Sequence, residues 1–205
     1  MNKQLGQAKI FWQNTGRRLV LPFLLGVVVG ASLTYNYVVL EASESEVEAV
    51  DFTLSRSVPK AIYIPALDVS ADFEEPLGLN EDDQIDVPKG YDTVAWYQFS
   101  PTPGEMGPAI VLGHLDSLEG PEVFYKLRHL KKNDTIEILR ADGLKAIFAV
   151  TELSWHRQTG FPTEAVYGDL DFAGLRLITC SGEYDHNQAR YSHNLVVYAK
   201  LVAVR

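Results

Sequence analysis

The order of apolar and polar positions divides this chain into three textures. Leu19 to Leu40, LVLPFLLGVVVGASLTYNYVVL, runs 22 residues without a charge. About 20 apolar residues carry a helix across a bilayer, so this run predicts one N-terminal transmembrane helix. Pro22 falls near its start, where a helix tolerates proline, and Tyr35, Asn36 and Tyr37 suit the far interface. The next stretch, EASESEVEAVDFTLSRS over residues 41–57, is acidic with little apolar periodicity. It predicts a tether.

From Pro59 the pattern changes. Nine of the ten prolines lie between Pro59 and Pro162, alongside many glycines. Short β-rich runs sit between these breakers: Ala61–Pro65, Asp92–Tyr97, Ala109–His114, Thr135–Arg140, Ala146–Leu153, Leu175–Cys180 and Tyr191–Val202. Regularly spaced short strands with turn signals predict an all-β sandwich or barrel. Ala146–Leu153 and Leu195–Val202 are the most continuously apolar, so they should be central strands. Asp142-Gly143 is a hairpin turn signal, and Val123 to Leu130 is the one segment expected to make a helical turn. A domain starting at Val58 has about 148 residues, enough for a real core. There is no internal repeat, heptad pattern or glycine-rich phosphate loop.

Charge adds an orientation. The formal net charge is −9, but Lys3, Lys9, Arg17 and Arg18 stand in the first 18 residues with no acid. Beyond them, 14 basic residues face 27 acidic ones, a net of −13. An acidic domain excludes nucleic acid as partner, since phosphate binding needs basic patches. A basic head before an apolar run stays cytoplasmic, which puts the rest of the chain outside the cell membrane. A cleaved signal peptide would have an apolar core of about 7–15 residues and a small-x-small site. Ala42-Ser43-Glu44 is a poor version of one, so an uncleaved anchor is expected. The layout is then 1–18 cytoplasmic, 19–40 anchor, 41–57 linker and 58–205 folded domain.

The chemistry centres on the single cysteine. Cys180 has no disulfide partner in the chain, so its thiol is either buried and inert or reactive. It closes the run Leu175–Cys180 and is followed by Ser181-Gly182, where the backbone can turn and expose amides. A reactive thiol needs such an opening. His114 likewise ends an apolar run and could serve as acid and base. Asp116, two residues on, could orient that ring or simply cap a loop. Arg190 could donate to a developing oxyanion. Ser192 shares its face, and Arg176, four residues before Cys180, shares the cysteine's. His186, His193 and Asp185 match no tight metal pattern. His129 and His156 read as surface residues. No metal or cofactor is expected.

Leu177-Ile178-Thr179-Cys180 resembles the cysteine signature of the sortases, and Gly113-His114-Leu115-Asp116-Ser117 resembles their histidine segment. Ile64-Pro65-Ala66-Leu67, Trp96-Tyr97, Pro103-Gly104-Glu105, Gly120 to Phe124, Phe161-Pro162-Thr163 and Tyr191-x-x-Asn194 to Ala199 are similar to the class E and F branch. The likeness runs from residue 58 to 202. It implies an eight-stranded β-barrel with short helical turns, anchored by the N-terminal helix. It implies a cysteine transpeptidase that cleaves a Leu-Pro-X-Thr-Gly-like sorting signal between Thr and Gly. Partners would be sorting-signal peptides of exported proteins and an amine acceptor, a peptidoglycan precursor or a pilin lysine. By position, Cys180 is nucleophile and His114 acid/base, with Ile178 and Thr179 lining the substrate groove. Some sortases bind calcium through loop carboxylates; Glu164, Asp169 and Asp171 lie in a comparable region but read as solvated acids. Many relatives of this branch put an arginine just after the tyrosine that begins the last strand, where this chain has Ser192. Arg190 is therefore the expected stabiliser, with Arg176 in reserve. Two other readings remain: a peptidase in which water resolves the thioester, and a catalytically weak binding module on the same fold.

Overall fold

The computed structural model describes residues 52–205. The expected anchor at 19–40, the basic head and most of the linker lie outside the described residues. Ten strands form: β1 (Pro59–Ile64), β2 (Val69–Asp72), β3 (Val94–Trp96), β4 (Gly107–Gly113), β5 (Asp116–Ser117), β6 (Gly120–Pro121), β7 (Thr135–Arg140), β8 (Lys145–Arg157), β9 (Ala173–Asp185) and β10 (Arg190–Val204). Eight of them make one sheet in the order β2-β1-β7-β8-β10-β9-β4-β3, and β5 pairs only with β6. Isolated parallel bridges from Phe73 to Val94 and from Leu77 to Tyr97 join the two ends. The sheet is thus a nearly closed barrel.

Alternation on β7 shows why it curls inward. Ile136 and Ile138 are buried while Glu137 and Leu139 face out, the period of two that a half-buried strand requires. On β10, Leu195, Val197, Ala199 and Leu201 enter the barrel. Burying each such side chain contributes about 1.5–3 kcal/mol. The outer face of β4, β9 and β10 is apolar too: Ile110, Ile178 and Val196 form a second cluster with Val166. Val166 comes from a five-residue helix, α1 (Thr163–Tyr167), closed by the Gly168 amide donating to the Glu164 carbonyl at 2.9 Å. β4 is therefore covered on both faces and reads as a continuous apolar run.

Two expectations about elements change. The run ending at Cys180 does not stop there: β9 continues to Asp185 and pairs with β10 as a long hairpin. Gly182 is a bulge inside that hairpin, not a turn. Its φ is +84°, and a Cβ there would lie 2.4 Å from Ser192 Oγ. In addition, residues 52–57 of the expected linker run along the barrel. Phe52 and Leu54 pack on its core, and the Leu54 amide donates to the Gly104 carbonyl at 2.7 Å.

Candidate active site

Strand register arranges the outer face of β4, β9, β10 and β8 in rows. Ile110, Arg176, Tyr198 and Glu152 form one, and Leu112, Ile178, Val196 and Ser154 the next. The parallel pairing of β4 with β9 ends at Leu112 opposite Ile178. Two residues further on each chain are His114 and Cys180. His114 lies just past the end of β4 while Cys180 is still within β9, where Asn194 and His156 form a row with it. Thiol and imidazole are thus brought to the same end of the parallel seam.

Each is held differently. Gly113 lets the backbone before the histidine press on a ring, since a Cβ there would lie 2.6 Å from Phe124. The Phe124 amide in turn donates to the His114 carbonyl at 2.9 Å. The ring of His114 contacts the Pro88 carbonyl through Nε2 at 2.7 Å and lies 4.9 Å from the Tyr91 ring. A carbonyl only accepts, so Nε2 carries a hydrogen. Cys180 reaches solvent but is surrounded on its other sides. Burial pushes its thiol up, and the Asp116 charge pushes it further.

Asp116 makes no hydrogen bond to His114 among the described residues. Its carboxylate accepts from the Tyr191 hydroxyl, at 2.6 and 2.8 Å to its two oxygens. Burial and this bond raise the Tyr191 phenol to about 12. Of the expected groove residues, Ile178 faces the outer cluster. Thr179, only 3% exposed, alternates to the barrel side opposite Leu195, so strand geometry keeps it off the groove.

Neither arginine is alongside the thiol in this conformation. Arg190 pairs with Asp185 at the mouth of the hairpin, four residues from Asn194, roughly 13 Å along the strand. Arg176 is four residues from Cys180 in the other direction and 5% exposed. Its guanidinium lies 4.5 Å from the Tyr198 ring centre. The position usual for arginine holds Ser192, whose Oγ accepts from the Glu183 amide at 3.0 Å and lies 2.8 Å from His193 Nδ1. His186 packs edge-on to Tyr184.

Ile178 and Val196 are buried with Val166 of α1, and beyond them a recess of about 490 Å³ is lined by Tyr97, Phe99, Met106, Ile110, Tyr167 and Leu170. Sequence reasoning did not select Asn194, Gln158, Tyr191, Pro88 or Tyr91. Counting by twos from Arg190 and Ser192 would have reached Asn194; Tyr191 entered only within the family resemblance, and Gln158, Pro88 and Tyr91 had no signal, since only folding brings them to the site.

The family model for the sortase domain matches residues 62–202. This chain belongs to the sortase family. Sortase A from Corynebacterium diphtheriae superimposes with a TM-score of 0.54 at 22% identity, over 73% of this chain and 62% of that one. The chain thus spans under two thirds of that relative. A sortase D5 transpeptidase from Clostridium perfringens gives 0.53 at 21% identity, over 71% and 79%. Sortase A from Listeria monocytogenes gives 0.53 at 20%, over 73% and 90%. These likenesses show the sortase fold. No curated protein matches the sequence.

Proposed function

We propose that this sortase is a membrane-anchored cysteine transpeptidase of the class E and F type. Its anchor is residues 19–40, with the N-terminus cytoplasmic and the barrel outside. It cleaves a Leu-Pro-X-Thr-Gly-like signal between Thr and Gly and passes the acyl group to an amine of a peptidoglycan precursor or a pilin lysine. One observation carries the reading: His114 and Cys180 each come two residues after the last β4–β9 pair, Leu112 with Ile178, at the same end of the parallel seam.

Cys180 rests as the thiol in this reading, in keeping with the burial and the Asp116 charge that raise it. Cys180 Sγ attacks the threonine carbonyl while its proton passes to His114 Nδ1. The tetrahedral adduct collapses with cleavage of the C–N bond, and His114 returns the proton to the leaving amine of glycine. The product is a thioester on Cys180. An incoming amine attacks it, giving its proton through His114 to the departing sulfur. Ile178, buried with Val166, supports the peptide-binding face from beneath. Arg190 is assigned to substrate contacts beyond the thiol, with Arg176 in reserve.

The full-length protein in detergent micelles, incubated with a Leu-Pro-X-Thr-Gly-type peptide library, is expected to form an acyl adduct by intact mass. The adduct should be absent from Cys180→Ala and discharged by an added amine. Arg190→Ala and Arg176→Ala report whether either guanidinium meets substrate. A folded protein that takes no peptide sinks the transpeptidase. The binding-module reading, which the distance of both arginines from Cys180 favours, would then replace it. An adduct discharged only by water would mark a hydrolytic peptidase.

A further inference from the structure

We propose that the side-chain amide of Asn194 is the donor that receives the oxyanion formed at Cys180, and that Gln158 holds it in place. The proposal rests on Cys180 being the nucleophile. Asn194 is the direct cross-strand partner of Cys180, and such partners share a face with Cβ atoms about 4.5–5.5 Å apart. No other residue on β10 stands level with the thiol.

The amide is oriented. Gln158 Nε2 donates to Asn194 Oδ1 at 3.1 Å, and Gln158 is itself fixed by its backbone amide on the Ser192 carbonyl at 3.1 Å. Gln158 follows β8, on the side of β10 away from Cys180. With Oδ1 turned to that side, Nδ2 turns toward β9. Nδ2 has no hydrogen-bond partner among the described residues, although the same residue's oxygen is paired.

The alternatives nearby are engaged or distant. Ser192 Oγ is occupied by the bulge and His193, the Tyr191 hydroxyl is given to Asp116, and His156 Nε2 is 3.1 Å from the Tyr198 hydroxyl. Both arginines are roughly 13 Å along their strands from this row. When Sγ bonds to the carbonyl carbon, the π pair moves to oxygen and Nδ2–H donates to it. When the C–N bond breaks, the carbonyl reforms and the amide keeps its hydrogen. A preorganised neutral donor of this kind contributes about 10²–10³ in rate.

The test compares two reagents on the full-length protein in detergent micelles, each followed at Cys180 by intact mass. p-Nitrophenyl acetate acetylates sulfur through an oxyanion. Iodoacetamide alkylates it by direct displacement, with none. Both rates follow the thiolate fraction, so their ratio cancels any shift of the thiol. Asn194→Asp keeps the acceptor for Gln158, loses the donor and adds a negative charge; its acetylation-to-alkylation ratio is expected to fall by at least about 10²-fold. Asn194→Ala should fall comparably, without the added charge. Gln158→Ala, which frees the amide to rotate, should fall by less.

Circular dichroism melts identify which variants are folded. An unchanged ratio in the folded Asn194 variants overturns the proposal, as does a parent that alkylates but never acetylates. A parent that acetylates Cys180 yet accepts no peptide would defeat the transpeptidase reading instead, while the ratio still decides Asn194.

Discussion

A carboxylate next to a thiol works against ionisation, and this site has one. Burial is the larger cause of the raised Cys180 thiol, and Asp116 is the second. Removing that negative charge stabilises thiolate over thiol, so Asp116→Asn should lower the cysteine pKa. An asparagine oxygen can still accept from Tyr191, which keeps the geometry. Iodoacetamide alkylation against pH should show its inflection move to lower pH, with several-fold faster reaction at neutrality. A profile that overlays the parent would mean that Asp116 acts only as the anchor of Tyr191. Cys180 and His114 stood out in sequence because each ends an apolar run, although only the histidine proves to lie at a strand end, since β9 continues to Asp185. Arg190 was chosen from the same logic, but register decides reach, and the bulge at Gly182 and the pairing of Cys180 with Asn194 appear only in the sheet.

Between residue and fold lies the segment that grips the histidine. Glu74 accepts the backbone amides of Lys89 and Gly90 at 2.8 and 2.9 Å, and the Thr93 hydroxyl at 2.9 Å. The same segment supplies the Pro88 carbonyl and Tyr91 ring that hold His114. Burial pushes the Glu74 carboxyl up, but these hydrogen bonds outweigh it, and the net pKa is lowered. A depressed carboxylate stabilises the fold above its unfolded pKa, and that contribution is lost as pH falls through the folded one. Hydrogen exchange at the Lys89 and Gly90 amides should therefore lose protection first on mild acidification, and Glu74→Gln should lose it already at neutral pH. Equal protection in parent and variant would show that the segment is held by something else. At this scale β7 was legible residue for residue, because its alternation is clean. β2 and α1 were not: four and five residues carry too little period to be read, and α1 exists only because Val166 has an apolar outer face to cover.

The whole barrel closes around a buried cation. Arg140, 2% exposed, ends β7 and donates to the Ser55 and Pro103 carbonyls and to Asp142. It thereby ties the chain before β1 to the loop before β4. Arg140→Met leaves two carbonyls unpaired and should cost about 3 kcal/mol, a fall in Tm of about 10 °C. Limited proteolysis near residues 52–57 should accelerate in parallel; a variant that melts like the parent would remove Arg140 from this role. The topology that produces the site carries a further consequence. His114 and Cys180 are 66 positions apart and are brought to the same end of a parallel seam, the slowest kind of pairing to form because long loops must close first. A nascent chain therefore carries its imidazole long before its thiol is made, and carries the thiol unpartnered until β9 docks on β4. Chemistry that needs thiol and imidazole together is thus the last property this protein can acquire, and fragments ending before β10 should lack it, although their exposed thiol should alkylate more readily than the folded one, which burial raises.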